Sequence, residues 1–405
     1  MFDWQKVSIE ALAAPGKNSL ATGPFGSAIG SRFFREKGVP VIRGSNLSLD
    51  VGKRLVDSDV VFVDESKAEE FSRSVARRGD LIFTCWGTIG QIGLVDERSR
   101  FDRYIVSNKQ MKLTPNSEMV DSLFLYYALS SPGAVAQVQG ASIGSSVPGF
   151  NLTQLRKVEV PLPPLVQQQS ISSLLGALDD KIAVNERIVS TADKLALMLA
   201  SLEQWDARVP LSEICDLNKI QQAPQEMSDE FVDHYSLPAY DDRKMPERCS
   251  PQSIRSGKFV VDSPAVLLSK LNPEIRRVWD VDPETEVPAL ASTEFLVLIP
   301  HDEVSTHDLW SVVAQESFLR DLAAKVTGTS KSHQRVRPAE VMAAKVVDPR
   351  QFGDVGRQIR GLAKSILAAR RESMALRELR DALLPQLMSG RLRVKDAEKL
   401  VEDVT

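Results

Sequence analysis

Two loop-rich stretches carry side chains suited to contacting a nucleic acid. In the first, Lys17 precedes the turn-rich run Gly23-Pro24-Phe25-Gly26-Ser27-Ala28-Ile29-Gly30. Pro40-Val41-Ile42-Arg43-Gly44-Ser45-Asn46-Leu47 then reads as a strand entering a polar loop. Between Gly79 and Gly93, two strand-like runs flank a tight loop with Trp86, Thr88 and Gln91, and Ser107-Asn108-Lys109-Gln110 makes a further polar corner. In the second stretch, Lys270, Asn272, Arg276 and Arg277 cluster within eight residues, and Gly328 to Arg337 holds Lys331, Ser332, His333, Gln334 and Arg335 with no acid. Arginine, lysine, amide and hydroxyl side chains hold phosphates and read base edges, and binding residues concentrate on loops. The candidate contacts are therefore Lys17, Phe25, Ser27, Arg43, Asn46, Trp86, Thr88, Gln91, Asn108 and Lys109, followed by Lys270, Asn272, Arg276, Arg277, Lys331, Ser332, His333, Gln334 and Arg335. The alternative reading of the glycines is that they only permit tight turns. That of the basic run is a solvated surface loop.

Catalytic constellations are poor by comparison. His234, His301, His307 and His333 have no metal-ligand spacing, and His301 and His307 are expected at the surface of an acidic, loop-like stretch. No Gly-x-Ser-x-Gly elbow or Cys/His pairing occurs. Gly87, Gly90 and Gly93 do not have dinucleotide-fingerprint spacing. Gly16-Lys17 is followed by Asn18 and lacks the upstream glycine of a phosphate-binding loop.

Composition sets the frame for these loops. The 405 residues are 43% hydrophobic and 26% charged, which suits a core-forming protein of two or three domains. The net charge of −4 argues against blanket nucleic-acid binding but allows a local basic groove. Cys85, Cys215 and Cys249 are odd in number and far apart, as expected of reduced cytosolic thiols and not of a zinc knuckle. No apolar run is long enough for a membrane helix, and no basic, apolar leader opens the chain, so a cytoplasmic protein is expected.

The chain repeats an order of features at an offset of roughly 184 to 202 residues. Lys6-Val7-Ser8-Ile9 is answered by Arg208-Val209-Pro210-Leu211, Gly79 to Thr84 by Ser263 to Leu268, and Tyr104 to Pro115 by Ala289 to Pro300. A helical stretch follows each (Asp121 to Leu129; Thr306 to Ala314). A Gly/Ser/Thr-rich loop comes next (Ala141 to Phe150; Thr327 to Gln334), then a strand ending in proline (Val158 to Pro161; Lys345 to Pro349). On this register, Lys270 to Arg277 takes the place of Cys85 to Gly93.

Each block closes on a long helix, about Val166 to Leu202 and about Val355 to Met388. One of about 36 residues would be roughly 54 Å long. Apolar residues recur in a 3-4 rhythm at Ile171, Leu174, Leu178, Ile188, Leu195 and Leu199, with Asn185 and Ala192 between. The second set is Ile359, Leu362, Ile366, Ser373, Leu376, Arg380, Leu383 and Leu387. This is a coiled-coil seam. Asn185 and Ser373 are the midpoints of their sets, so an antiparallel pair would oppose them and fix register; alternatively Asn185 faces solvent. Pro385 predicts a kink or early end, and Gly390 a helix stop. The fold class is α/β (α+β), with two similar globular domains separated by two long antiparallel helices in a pseudo-twofold repeat. The expected boundaries are 1–165, helix 166–205, 206–352, helix 353–390 and a tail at 391–405.

Across nearly its whole length the chain resembles the DNA-specificity (S) subunit of type I restriction-modification systems. The residues that carry the resemblance are Gly23-Pro24-Phe25-Gly26-Ser27, Val41 to Asn46, Gly79 to Phe83 with Trp86 to Gly90, Pro161 to Pro164, Leu178-Asp179-Asp180-Lys181-Ile182 with Asn185, and Leu379 to Gly390. The resemblance implies a non-catalytic subunit. Two target recognition domains would each read half of an asymmetric, interrupted sequence on double-stranded DNA, and the helices would set the spacer. The subunit would dock two modification subunits, which bind S-adenosylmethionine and methylate adenine, and two restriction subunits, which use ATP and Mg. No cofactor is expected in this chain. The competing reading is a coiled-coil scaffold with two protein- or glycan-binding heads.

Overall fold

In the computed structural model, residues 4–141, 149–202, 204–242, 244–283, 286–326 and 334–402 are described. The chain divides into two compact units. The first runs to Val184 and resumes at Glu372; the second is Asn185–Arg371.

The strands of the first unit are β1 (Lys6–Ser8), β2 (Leu20–Thr22), β3 (Val39–Ile42), β4 (Val61–Val63), β5 (Val75–Arg77), β6 (Leu81–Thr84), β7 (Ile92–Leu94), β8 (Arg103–Val106), β9 (Gln110–Leu113) and β10 (Glu159–Pro161). Those of the second are β11 (Arg208–Pro210), β12 (Cys215–Asn218), β13 (Gln221–Gln222), β14 (Val232–Tyr235), β15 (Glu247–Cys249), β16 (Lys258–Val260), β17 (Ala265–Ser269), β18 (Val278–Val281), β19 (Ala289–Ala291), β20 (Phe295–Pro300) and β21 (Lys345–Val347).

The two topologies match. One sheet is ordered β2-β9-β6-β7 in the first unit and β12-β20-β17-β18 in the second. The other is β4-β3-β8-β5, answered by β15-β14-β19-β16 with β13 added at the edge. A two-stranded ladder, β1-β10 or β11-β21, completes each unit. Even the parallel pairing recurs: β3 runs parallel to β8 and β14 parallel to β19. The internal repeat expected from the sequence is thus present as repeated strand order. Leu81–Thr84 and Ala265–Ser269 are buried along their whole length, so they read as short apolar runs rather than alternating strands.

The two long helices span Leu165–Ala200 and Gly353–Met388. Each is divided between the units. In the first unit, Ile171, Leu175, Leu178 and Ile182 share one core with Leu376, Leu383, Leu384 and Leu387. There Asp179 meets Arg380 and Lys181 meets Glu372. The partner number falls as the residue number rises, so these helix segments are antiparallel.

The seam differs in part from the sequence expectation. Ile171, Leu178, Ile366, Ser373, Leu376 and Leu383 are buried, and so is Asn185 at 1% exposure, which removes the reading in which it faces solvent. Ile188 and Leu195, however, are exposed, and Leu174 is only half-buried. Ala192, expected in the seam, is buried, and the buried face also passes through Leu175, Ile182, Ala196 and Ala200. Small alanines there are buried while the bulkier Ile188 and Leu195 are exposed.

Two further expectations are corrected. Pro385 does not end its helix early, since Met388 is the last helical residue. A proline this close to the end deprives the helix of one backbone donor while few turns remain to be lost. Gly390, at φ +65°, supplies the left-handed stop. The segment after it is not a plain tail: Val394–Glu402 is helical and buries Ala397 in the first unit's core, with Val394 and Val401 packed alongside.

A buried charge network fastens the helices to the sheets of the first unit. Arg380 is 1% exposed. Its guanidinium meets Asp179 at 2.8 Å and Asp50 at 3.6 Å, while Arg377 meets Asp50 at 3.1 Å. Asp179 also accepts from the Tyr127 hydroxyl and lies 3.8 Å from Arg54, which pairs with Asp96 at 2.6 Å. Burial lowers the pKa of Arg380, but Asp179 and Asp381 outweigh it and hold the group above its usual value. Gly52 is required here, because a Cβ would stand 2.6 Å from the Arg380 guanidinium.

Removing Asp179 would take from the buried Arg380 its fully buried partner at 2.8 Å and from Arg54 one of its two carboxylates. D179A is expected to cost the first unit about 3–5 kcal/mol. D381A, at an exposed partner of the same arginine, is expected to cost about 1 kcal/mol or less. Urea denaturation followed by circular dichroism measures both, and equal losses would contradict the assignment.

Candidate DNA-reading site

At one end of the first unit's two sheets, the strand ends and loops leave a cleft of about 620 Å³. β3 delivers Arg43, Gly44 and Ser45; β6 delivers Thr84 and then Trp86, Gly87 and Thr88. The β8–β9 turn delivers Ser107, Asn108, Lys109 and Gln110. The cleft thus gathers Arg43, Trp86, Thr88, Gln91, Asn108 and Lys109 from three separate stretches of sequence.

Their hydrogen bonds divide them by role. The Asn108 amide donates to the Gly26 carbonyl at 2.8 Å and so ties the Phe25 turn to the rim. Gln91 accepts from Thr84 Oγ1 at 3.3 Å and donates to the Leu47 carbonyl at 3.1 Å, so both ends of its amide serve the loops. Trp86 is half-exposed and packs on Gly149, where a Cβ would stand 2.5 Å from the indole. Gly23 is equally constrained, since a Cβ there would meet the Ser107 carbonyl at 1.8 Å. Thr88, Lys109, Phe25 and Ser27 are exposed, Phe25 at 77%. Arg43 lies with its guanidinium over the Phe34 ring, 5.9 Å from the centroid.

Two sequence candidates lie elsewhere. Asn46 is 1% exposed: its Oδ1 accepts from the Arg43 amide at 2.9 Å and its Nδ2 donates to the Val56 and Asp59 carbonyls. It shapes the loop from inside and is not available to a ligand. The three-residue spacing from Arg43 is the sequence signature of such a cap. Lys17 is exposed, but it sits beyond Leu20, at the end of β2 away from the Gly23–Gln110 contact. Conversely, Gln110 and Ser107 line the cleft although the candidate set omitted them. Their i, i+3 spacing across a turn is the available signal.

The second unit builds the same junction from other residues. Phe150 N–H donates to Cys85 O in the first unit, and Val336 N–H donates to Lys270 O in the second. The bridge Trp86–Gly149 is answered by Leu271–Arg335. Asn272, in the left-handed region at φ 48°, donates its amide to the Gln334 carbonyl at 2.9 Å. Arg276 is exposed, whereas Arg277 is held bidentately by Asp241 and Arg335 by Glu294. The positive charge of this corner is therefore partly neutralised within the protein. Lys331, Ser332 and His333 lie outside the described residues. His307 is not a free surface residue: it opens the helix Thr306–Val313 and bonds to Asp280.

The family model for the type I restriction modification DNA specificity domain matches residues 34–192, which include the whole cleft except the Phe25 turn and Ile29. The chain is similar to the specificity subunits of type I restriction-modification systems. It is 20% identical over 370 residues to the type I restriction enzyme MjaIX specificity subunit of Methanocaldococcus jannaschii, with 82% of each chain covered. It is 28% identical over 102 residues to the EcoBI specificity subunit of Escherichia coli, covering 25% of this chain and 21% of that one. The fold is shared with the crystal structure of a type-I restriction-modification system S subunit from M. genitalium, at a TM-score of 0.58, 13% identity and coverage of 95% and 96%. These relatives are named as specificity subunits of type I restriction enzymes. Among the described residues no cluster of His, Cys, Asp and Glu is arranged to hold a metal, and no helix is long and apolar enough to cross a membrane.

Burial also sets thiol chemistry around the site. It pushes Cys85, directly before Trp86, up to about 12, and does the same to Cys215. At pH 8 both are fully protonated, and the thiolate is the reactive form. Ellman titration of the native chain at pH 8 should find only the half-buried Cys249 reacting promptly, with all three thiols counted in urea. Prompt reaction of two or more native thiols would contradict the burial of Cys85 and Cys215.

Proposed function

We propose that the two units are target recognition domains that read the two halves of an interrupted, asymmetric DNA sequence. One observation carries the reading. The units repeat the same strand order and the same loop junction, yet line it with different side chains: Trp86, Thr88 and Lys109 in one, Lys270, Asn272 and Arg276 in the other. Equal scaffolds with unequal rims suit two unlike half-sites on one duplex. In this reading Arg43, Trp86, Thr88 and Lys109 face the DNA from the first unit, with Phe25 and Ser27 at the rim. Lys270, Arg276 and the Gln334 loop face it from the second.

The long helices pass from one unit into the other and would set the distance between half-sites. Their exposed apolar side chains Val184, Ile188, Leu195 and Met198 suit the docking of modification subunits, which would supply S-adenosylmethionine and adenine methylation. Restriction subunits would add ATP- and Mg-dependent cleavage. This chain would bind none of these cofactors, and the complex would act in the cytoplasm.

Two outcomes test this. Adding one heptad to both long helices is expected to lengthen the unspecified spacer of the methylated motif and leave both half-sites unchanged, as read by methylome sequencing. An unaltered spacer would contradict the role of the helices. Replacing Lys109 with Ala in the assembled methyltransferase should weaken binding to every duplex alike and lower the magnitude of the salt slope by about 1. Unmoved binding curves would remove Lys109 from the interface.

A further inference from the structure

Two polar groups in the first unit's cleft have no hydrogen-bond partner among the described residues, and both are donors. Gln110 is 1% exposed and lines the cleft, but its Nε2 makes no hydrogen bond. Arg43 Nε is buried and likewise unbonded. Buried donors without acceptors cost folding free energy, and native proteins carry few of them. An orphan donor inside a cleft is therefore a place where a ligand can supply the missing acceptor.

The amide of Gln110 is not free to choose its face. Ser107 Oγ donates to Gln110 Oε1, which occupies the acceptor end and leaves the NH₂ as the unpaired end. The backbone on both sides is fixed: Gln110 N–H donates to Ser107 O at 3.1 Å, and Gly23 N–H donates to Gln110 O at 2.9 Å. Beside the NH₂ stands Gly44, next in sequence to Arg43. A Cβ at Gly44 would lie 3.7 Å from Gln110 Nε2 and would meet nothing else within 4 Å. At the bare glycine no side chain stands against the Gln110 amide, and Arg43, the residue before it, lines the same cleft.

We propose that Arg43 and Gln110 together read a guanine in the half-site bound by the first unit. Two unpaired donors lining one cleft match the N7 and O6 acceptors that guanine alone presents side by side in the major groove. Adenine offers N7 beside a donor, and cytosine's exocyclic group is a donor that would face these donors unpaired. Gln110 is thus a specificity-determining residue, and Ser107 the residue that sets its polarity. This rests on the first unit reading DNA.

The test uses the chain assembled with its modification subunits. Methylome sequencing first defines the wild-type motif, which should contain a guanine in one half-site. Replacing that guanine with 7-deazaguanine, which lacks N7, should weaken binding about tenfold or more. Inosine, which differs only at the minor-groove edge, should leave binding unchanged. Gln110→Leu should relax the requirement for guanine at that one position, and Gln110→Glu, which presents acceptors, should shift it toward a base with a donor. The second half-site should stay as it was in both, and its retention reports that the variant is folded. Should Gln110→Leu fail to assemble, Gly44→Leu covers the same NH₂ from the other side and should relax the same position. A defined motif that is indifferent to Gln110 and Gly44, or that holds no guanine in either half-site, overturns the guanine assignment alone. A complex that methylates no defined motif overturns the DNA-reading assignment as well.

Discussion

An arginine buried in a protein interior cannot shed its charge, so whatever surrounds it must be arranged to meet it. Arg380 imposes that condition on the first unit. Asp179 from one long helix, Asp50 from the loop after the first polar corner, and a glycine at position 52 all stand where its guanidinium needs them. The loop that Arg380 clasps at Asp50 begins at Asn46, whose buried amide shapes the edge of the cleft. A path of fixed groups thus joins the helix pair to the reading edge within this unit. Apolar packing alone holds helices against sheets but tolerates sliding; a buried ion pair with directional partners specifies one arrangement.

The second unit obtains the same result by different means. There Asp193 of the central helix lies 3.6 Å from Arg370 and from Lys244, and Arg360 meets the buried Asp308 at 2.8 Å. Strand order and loop junction are repeated, while the charges that fix them and the side chains that line them are not. The duplicated halves retain the short apolar strands, while Gly79, Gly87, Gly90 and Gly93 of the first have no glycine in the corresponding stretch 263–277 of the second, and the rims differ. That division explains why residue identity between the halves is low although their shared strands keep the same order, with β13 added in the second.

Much of this was legible before any coordinates. The spacing of repeated features located both sheets and both long helices because strand period, helix period and turn residues are local properties. The seam was legible only in part. Bulky Ile188 and Leu195 fit the seam rhythm but are exposed, while Ala192, which the rhythm included, and Ala196 and Ala200, which it did not, are buried, because a close approach between elements is a tertiary fact that side-chain size misreports. The cleft followed the same pattern. Arg43, Trp86 and Lys109 were visible as polar or aromatic residues on loops, but Asn46, of the same apparent kind, is spent on backbone carbonyls. Gln110, which opens a buried strand, was visible as part of a polar corner but not as a contact residue. Which amides are satisfied internally depends on partners ten or more residues away, as Val56 is from Asn46, and composition does not carry that information.

The central claim is that the open edge lined by Arg43, Trp86, Thr88 and Lys109 is the surface that meets DNA. Ultraviolet crosslinking of the assembled complex to a duplex bearing its motif, with mass spectrometry of the crosslinked peptides, tests it directly. The account predicts that crosslinks in the first unit fall in the peptides holding Trp86 and Lys109. Crosslinks confined to the opposite end of the same sheets, around Lys17, Arg77 and Arg103, would contradict it.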